Sequence, residues 1–342
     1  MSALAPDGRV APTRRGPWLR RTAWGLFSAA LLLLPLAVGS RPFELRLLTL
    51  MLLFGAMGQG WNILGGYAGQ TAIGHGLFFG LGAYASLLVM REFGVSPWVA
   101  APAAALVCML AGTLIGWPCF KLRGHYFVIA TLVIAESASL LFTSWDWAGG
   151  AMGLELPIRP ESLLNLQFHR SKLPYYYVAL ALVAGATALT ALLERSKVGF
   201  VLRAIRDDEE AVRSLGFSPL RYKLIAMAAS TAIVGLCGAF HLQYVLFIDP
   251  PSVLGLGLSV MIALIPILGG VGTLAGPIVG AVILVSMSEY ARIIFSGGGR
   301  GVDLMIYGGL IMGIALYRPA GIMSLLRTER VVALRMRLGL GR

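Results

Sequence analysis

The 342-residue chain is 57% hydrophobic and only 13% charged, with a mean hydropathy of +0.78. A soluble domain carries roughly a quarter charged residues, so this composition describes a polytopic membrane protein and leaves no length for a sizeable soluble domain. The net charge of +12 does not point to nucleic acid: the basic residues sit at the ends of apolar spans without interleaved aromatics, a pattern that fits topology and anionic lipid.

Apolar segments near the ~20 residues needed to cross a bilayer fall at 23–39, 43–64, 72–90, 97–117, 125–145, 174–193, 224–247, 258–276, 277–295 and 302–317. The fold class expected is therefore all-α, a single transmembrane domain of about ten helices over residues 1–342. The basic tail 1–22 followed by Leu31–Leu34 has the outline of a signal peptide. However, 23–39 is long for such a core and no small-residue cleavage site clearly follows, so it reads as the first span. Tail 1–22, the connection holding Lys121 and Arg123, the stretch 194–223 and tail 318–342 together carry twenty of the 28 Lys and Arg. With ten spans all four fall on one side, which predicts both termini in the cytoplasm. The polar stretch 146–173 then faces outward as a surface helix or lid, with Trp145, Trp147 and Tyr175–Tyr177 at the membrane interface. Cys108, Cys119 and Cys237 have neither disulfide nor metal spacing.

Two apolar segments, one in each half, are interrupted by glycine. The first holds Gly65, Gly66, Gly69, Gly74, Gly76, Gly80 and Gly82; the second holds Gly269, Gly270, Gly272, Gly276, Pro277 and Gly280. Paired breaks of this kind point to a transport pathway, because an unwound backbone can line a cavity. The other reading is close helix packing through small residues four apart. Polar side chains at membrane depth are few: Asn62, Gln70, His75, Glu136 and Glu289. Glu136, mid-span, is functional by default or else a packing group kept protonated or hydrogen-bonded; His75 is a hydrogen-bonded packing residue or a ligand. No acid pair, nucleophile–base pair, metal cluster or Walker phosphate loop is present, so the chain reads as neither an enzyme nor an ATP binder in the Walker manner. The Gly270-x-Gly272-x-x-Ala275 run lacks the preceding strand of a dinucleotide site.

The long polar island 194–223 carries Leu202, Ile205, Val212 and Leu215 at helical spacing, Asp207 and Glu210 at the spacing of a capping box, and Gly216 as a stop. This predicts a short amphipathic helix whose apolar stripe has nothing of its own to bury it. It serves as a docking element, rests on lipid, or is a solvated loop that only fixes topology.

Trp61–Gln70 with Gly74–Tyr84 resembles the signature of LivM-type inner-membrane permease subunits of branched-chain amino acid ABC importers. So do Leu122–Tyr126 leading to Glu136, Gly149–Gly153, Arg203–Arg206 with Glu209–Ala211 and Leu215–Gly216, and Leu268–Pro277. The resemblance implies a translocation pathway drawn from Asn62, Gly66, Gly69, Gln70, His75, Glu136, Gly269, Gly270 and Gly272. It also implies a cytoplasmic coupling helix in the island, docking through Leu202, Ile205, Val212 and Leu215. Glu209, Glu210 and Ala211 would form its turn nearest the partner, and Gly216 its end. Implied partners are two ATP-binding-cassette ATPases that hold ATP and Mg, a second homologous permease, a periplasmic substrate-binding protein and lipid, with no cofactor in this chain. Ala72 and Ala148 stand where the family often carries hydroxyls. Branched-chain amino acids are the expected cargo, with urea, short amides or another small acid as alternatives. An ion-driven secondary carrier relaying through Glu136 and His75 is the competing class, and it would need no docking helix.

Overall fold

The computed structural model describes residues 33–35, 41–122, 124–294 and 308–309. The chain divides into two units, Met1–Leu45 and Arg46–Arg342, and the architecture below is that of the second. Its helices are α1 (Pro42–Trp61, continued by a π-helical turn Asn62–Tyr67), α2 (His75–Phe93), α3 (Pro97–Cys119), α4 (His125–Ser144), α5 (Leu173–Arg195), α6 (Lys197–Asp207), α7 (Glu209–Ser214), α8 (Pro219–Val245), the short α9 (Pro250–Val253), α10 (Leu256–Gly269) and α11 (Gly276–Ile294). Among the described residues, eight helical stretches are long and apolar enough to cross a membrane. They match the second to ninth expected segments. The first (23–39) and tenth (302–317), like both tails, lie almost wholly outside the described residues.

Local chemistry sets the helix ends. Ser96 accepts a hydrogen bond from the Trp98 amide at 3.4 Å and Pro97 opens α3, while α2 stops at Gly94 in the left-handed region. α8 is the hub, packed along α2 and α3. Small residues permit that approach: a side chain at Gly82 would strike the Gly235 backbone, and one at Gly112 would strike Thr231. Gly269 and Gly280 likewise let α10 and α11 pack backbone to backbone. The close-packing reading of the glycine runs is therefore correct for these positions. On α3, Leu106, Leu110, Leu114 and Trp117 form an outward apolar stripe suited to acyl chains.

Stretch 146–173 does not form the surface helix that was one of its two readings. Gly149, Gly150 and Gly153 all have positive φ and break it into two 3₁₀ turns. Strand β1 (Leu154–Glu155) then pairs antiparallel with β2 (Phe247–Ile248). The buried Gln167 side chain accepts from the Arg159 amide at 2.6 Å and donates to the Pro157 carbonyl at 3.1 Å, holding the rest of the loop. Trp145 and Trp147 are exposed as expected, but Tyr175 and Tyr176 are buried; Tyr175 donates to the Gln243 carbonyl at 3.0 Å and braces α5 on α8.

Candidate functional site

The two glycine-rich interruptions are real breaks, and they meet. The first runs from the π-helical turn Asn62–Tyr67 to the start of α2 at His75; the second separates Gly269, the end of α10, from Gly276, the start of α11. Asn62, fully buried, acts as a surrogate backbone: its Nδ2 donates to the Thr273 carbonyl at 3.0 Å and its Oδ1 accepts from the Gly272 amide at 2.8 Å. Gln59, one turn earlier, donates to the Leu274 carbonyl at 2.6 Å. Groups freed by the second break are thus satisfied by side chains of the helix leading into the first, as buried backbone polar groups require. The contact is tight because it is glycine on glycine: a Cβ at Gly66 would lie 2.7 Å from the Gly272 nitrogen. Gly272 has φ +74, a conformation other residues rarely adopt.

A third element reaches this junction. Arg206, on α6 in the polar island, donates through Nη1 to the Gly66 carbonyl at 2.6 Å, capping a terminal carbonyl of the π turn. Its stem lies against Gly69, where an added Cβ would come within 2.9 Å of Arg206 Cγ, and its guanidinium lies beside Gly272. Gly66, Gly69 and Gly272 are therefore brought together, and Gly269 and Gly270 sit at the α10 end of the same junction. Gln70 lies just beyond it, lining a cavity of about 840 Å³ with Lys121, Glu209, Arg213, Phe217 and Lys223. The cavity joins the first break to the island.

The island itself corrects the reading from spacing. It forms two helices, α6 and α7, bent at Asp208, and the cap is Asp208 rather than the Asp207–Glu210 box: its Oδ1 accepts from the Glu210 and Ala211 amides at 2.9 and 3.0 Å. The stripe is not free. Leu202, Ile205 and Val212 are buried in this chain, the last two with Val201, Ala204 and Tyr222, because α8 supplies the missing apolar surface. Leu215 remains exposed, as do Phe200 and Phe217. Gly216 ends α7 with φ +85 as expected. Glu209 ties α7 to α8 through Lys223 at 2.6 Å, Glu210 faces outward, and Ala211 sits in the capped first turn.

The remaining expected site residues stand apart from the junction. His75 is fully buried, its Nε2 2.8 Å from Ser230 Oγ, between Trp61 and Phe78. Glu136 lies on the exposed face of α4, in line with Ile129, Val133 and Leu140, and does not point into the chain's interior. Glu289 is ion-paired with Arg292 at 3.1 Å and with Arg46 at 3.8 Å. Ala72 and Ala148 are both buried. Among the described residues no cluster of His, Cys, Asp or Glu could hold a metal, and the three cysteines are free. Sequence reasoning did not single out Gln59, and it named Arg206 only within the Arg203–Arg206 motif, without a role. Gln59 was a further polar side chain at membrane depth; no local pattern gives Arg206 its partner, because Gly66 is 140 residues away.

The family model described as "Branched-chain amino acid transport system / permease component" matches residues 44–316. The chain is 31% identical over 304 residues to the "High-affinity branched-chain amino acid transport system permease protein LivM" of Salmonella typhimurium strain LT2, covering 82% of this chain and 70% of that protein. It is also 31% identical over 331 residues to the protein of the same name from Escherichia coli strain K12, covering 89% and 76%. A "Probable branched-chain amino acid transport permease protein LivM" of Methanocaldococcus jannaschii is 23% identical over 271 residues. No solved structure matches significantly. An all-α, many-span chain carrying both glycine breaks, matched over 44–316 and by relatives along most of their length, belongs to the branched-chain amino acid transport system permease component family.

Proposed function

We propose that this chain is the permease subunit of an ATP-driven ABC importer for branched-chain or related small amino acids, seated in the bacterial inner membrane with both termini in the cytoplasm. It performs no chemistry itself; two partner ATPases bind ATP and Mg and hydrolyse ATP, and a periplasmic binding protein delivers cargo. The observation that carries the reading is the junction at Gly66, where Arg206 of the polar island grips the place at which two broken spans meet. A conduit driven from outside the membrane needs such a link between its docking surface and its interrupted helices.

In this reading α6 and α7 form the coupling element, and the surface offered to the ATPase is the exposed set Phe200, Glu210, Leu215 and Phe217 rather than the buried stripe. Asn62, Gly66, Gly69, Gln70, Gly269, Gly270 and Gly272 form the inner end of the pathway, and His75 holds α2 on α8 beside it. Glu136 belongs to a pathway face completed by a second permease subunit. The test is reconstitution of the permease pair with ATPases and binding protein in proteoliposomes. ATP-dependent uptake of labelled leucine, competed by valine and isoleucine but not by urea or acetamide, is expected. Uptake driven by an ion gradient without the ATPases would overturn it.

A further inference from the structure

A second polar cavity lies far from the glycine junction, at the membrane boundary that carries stretch 146–173. It has a volume of about 310 Å³ and is lined by Arg46, Leu50, Lys172, His241, Tyr244 and Val245. Arg46 and Leu50 enter from the first turns of α1, Lys172 immediately precedes α5, and His241, Tyr244 and Val245 come from the last turns of α8, so all lie near one level of the bilayer. Two features mark it as built to receive a group. The Tyr244 hydroxyl is buried on a side chain only 9% exposed and has no hydrogen-bond partner among the described residues; His241 Nδ1 is likewise buried and unpaired among them. Unpartnered buried polar atoms are uncommon and call for a ligand or water.

The charge around the cavity is positive. Lys172 Nζ stands 4.8 Å from the centre of the Tyr244 ring, and no carboxylate among the described residues pairs with it. Arg46 reaches Glu289 only at 3.8 Å, and that carboxylate also serves Arg292. Glu289 is thus shared between Arg46 and Arg292. No carboxylate lines the cavity, so the ammonium of a free amino acid would find no partner there, whereas a simple oxyanion would meet Arg46, Lys172 and the Tyr244 hydroxyl. The apolar flanks Leu50 and Val245 suit the first carbons of a lipid rather than bulk water.

We propose that this cavity is a phosphate-oxyanion site, filled by the headgroup of an anionic phospholipid, with Lys172, Arg46 and Tyr244 as its donors. The inference rests on the chain's crossing a membrane and not on its cargo. The test uses the full chain in zwitterionic detergent, with the thermal unfolding midpoint followed on addition of phosphatidylglycerol, phosphatidylcholine, inorganic phosphate or leucine. Phosphatidylglycerol is expected to raise the midpoint saturably and phosphatidylcholine not to. Lys172→Gln, a surface change that leaves packing intact, and Tyr244→Phe are each expected to weaken the half-saturating lipid concentration about tenfold, the effect of one hydrogen bond to a charged group. Stabilisation by inorganic phosphate without any advantage of the lipid would overturn lipid as the source. Equal response to both lipids, an unchanged response in both variants, or stabilisation by leucine in its place would overturn the site.

Discussion

Arg206→Ala tests whether the island drives the broken spans. The substitution removes a 2.6 Å hydrogen bond from a guanidinium to the Gly66 carbonyl and withdraws the stem that covers Gly69. Hydrogen bonds to charged groups contribute about 1.5–3 kcal/mol. Arg206 keeps an exposed flank, so solvent screening puts this one at the lower end, about 1.5 kcal/mol, or roughly tenfold in the equilibrium between gripped and released junction. Because α6 stays folded through Val201, Leu202 and Ile205, the variant should insert normally and retain the ATPase. In proteoliposomes containing the whole transporter, leucine uptake per ATP hydrolysed should fall about tenfold while hydrolysis itself persists. Arg206→Lys, with charge but no planar fork, should lie between variant and wild type. An unchanged ratio of uptake to hydrolysis in Arg206→Ala would refute the argument that force passes through this contact.

Leu215→Asp and Phe200→Asp place charge on exposed positions of α7 and α6, and should release the ATPase on purification without lowering thermal stability. Val212→Asp buries a carboxylate among Val201 and Ile205, at a cost of several kcal/mol, and should unfold the island; wild-type retention of the ATPase by Leu215→Asp and Phe200→Asp together would move docking elsewhere. Glu136→Leu should leave insertion of the isolated chain unimpaired or improved yet reduce uptake by the assembled transporter, and full uptake in that variant would take Glu136 off the pathway. Glu161 accepts from the Arg170 and His169 amides, which hold its carboxyl below the usual carboxylate range near 4.5. Its contribution to the 159–170 loop is present above that range and is lost as pH falls through the lower folded value. Protease nicking of the loop should therefore rise in acid, and Glu161→Gln should remove the pH dependence.

The spans were legible because hydropathy over about 20 residues has few competing explanations in a chain this apolar. Both breaks were legible too, since runs such as Gly269-Gly270 followed by Gly272, Gly276 and Pro277 do not continue a helix. Their meeting was not, for Asn62 and Gly272 are 210 residues apart and no local pattern encodes that pairing. The island failed in an instructive way. Spacing tells which side chains share a face, as Leu202, Ile205 and Val212 do, but not what covers that face; α8 covers it here. Adjacent Asp207 and Asp208 can each serve as a cap, and only the bend of the chain selects Asp208. A tyrosine cluster beside a span looks interfacial until, as at Tyr175, its hydroxyl finds a buried carbonyl.

Glu136 shows why exposure in one chain carries information in a membrane. The outward stripe of α3 is wholly apolar at Leu106, Leu110 and Leu114, as acyl chains demand, whereas the outward stripe of α4 passes from Ile129 and Val133 to Glu136 and Ser137 before returning to Leu140. A carboxylate at mid-span facing lipid costs about 2.5–3.5 kcal/mol on insertion scales, a large fraction of the margin by which proteins stay folded. The same carboxylate facing water or a polar partner costs far less. The two stripes therefore cannot face the same medium, and of the two it is the α4 face that must be covered in the working protein. On the proposed reading, in which a second permease subunit completes the pathway, the seam between the two chains would be both within the bilayer and wet. Placing α4 at that seam would remove the penalty and, on the same reading, put the exposed acid where a polar solute crosses.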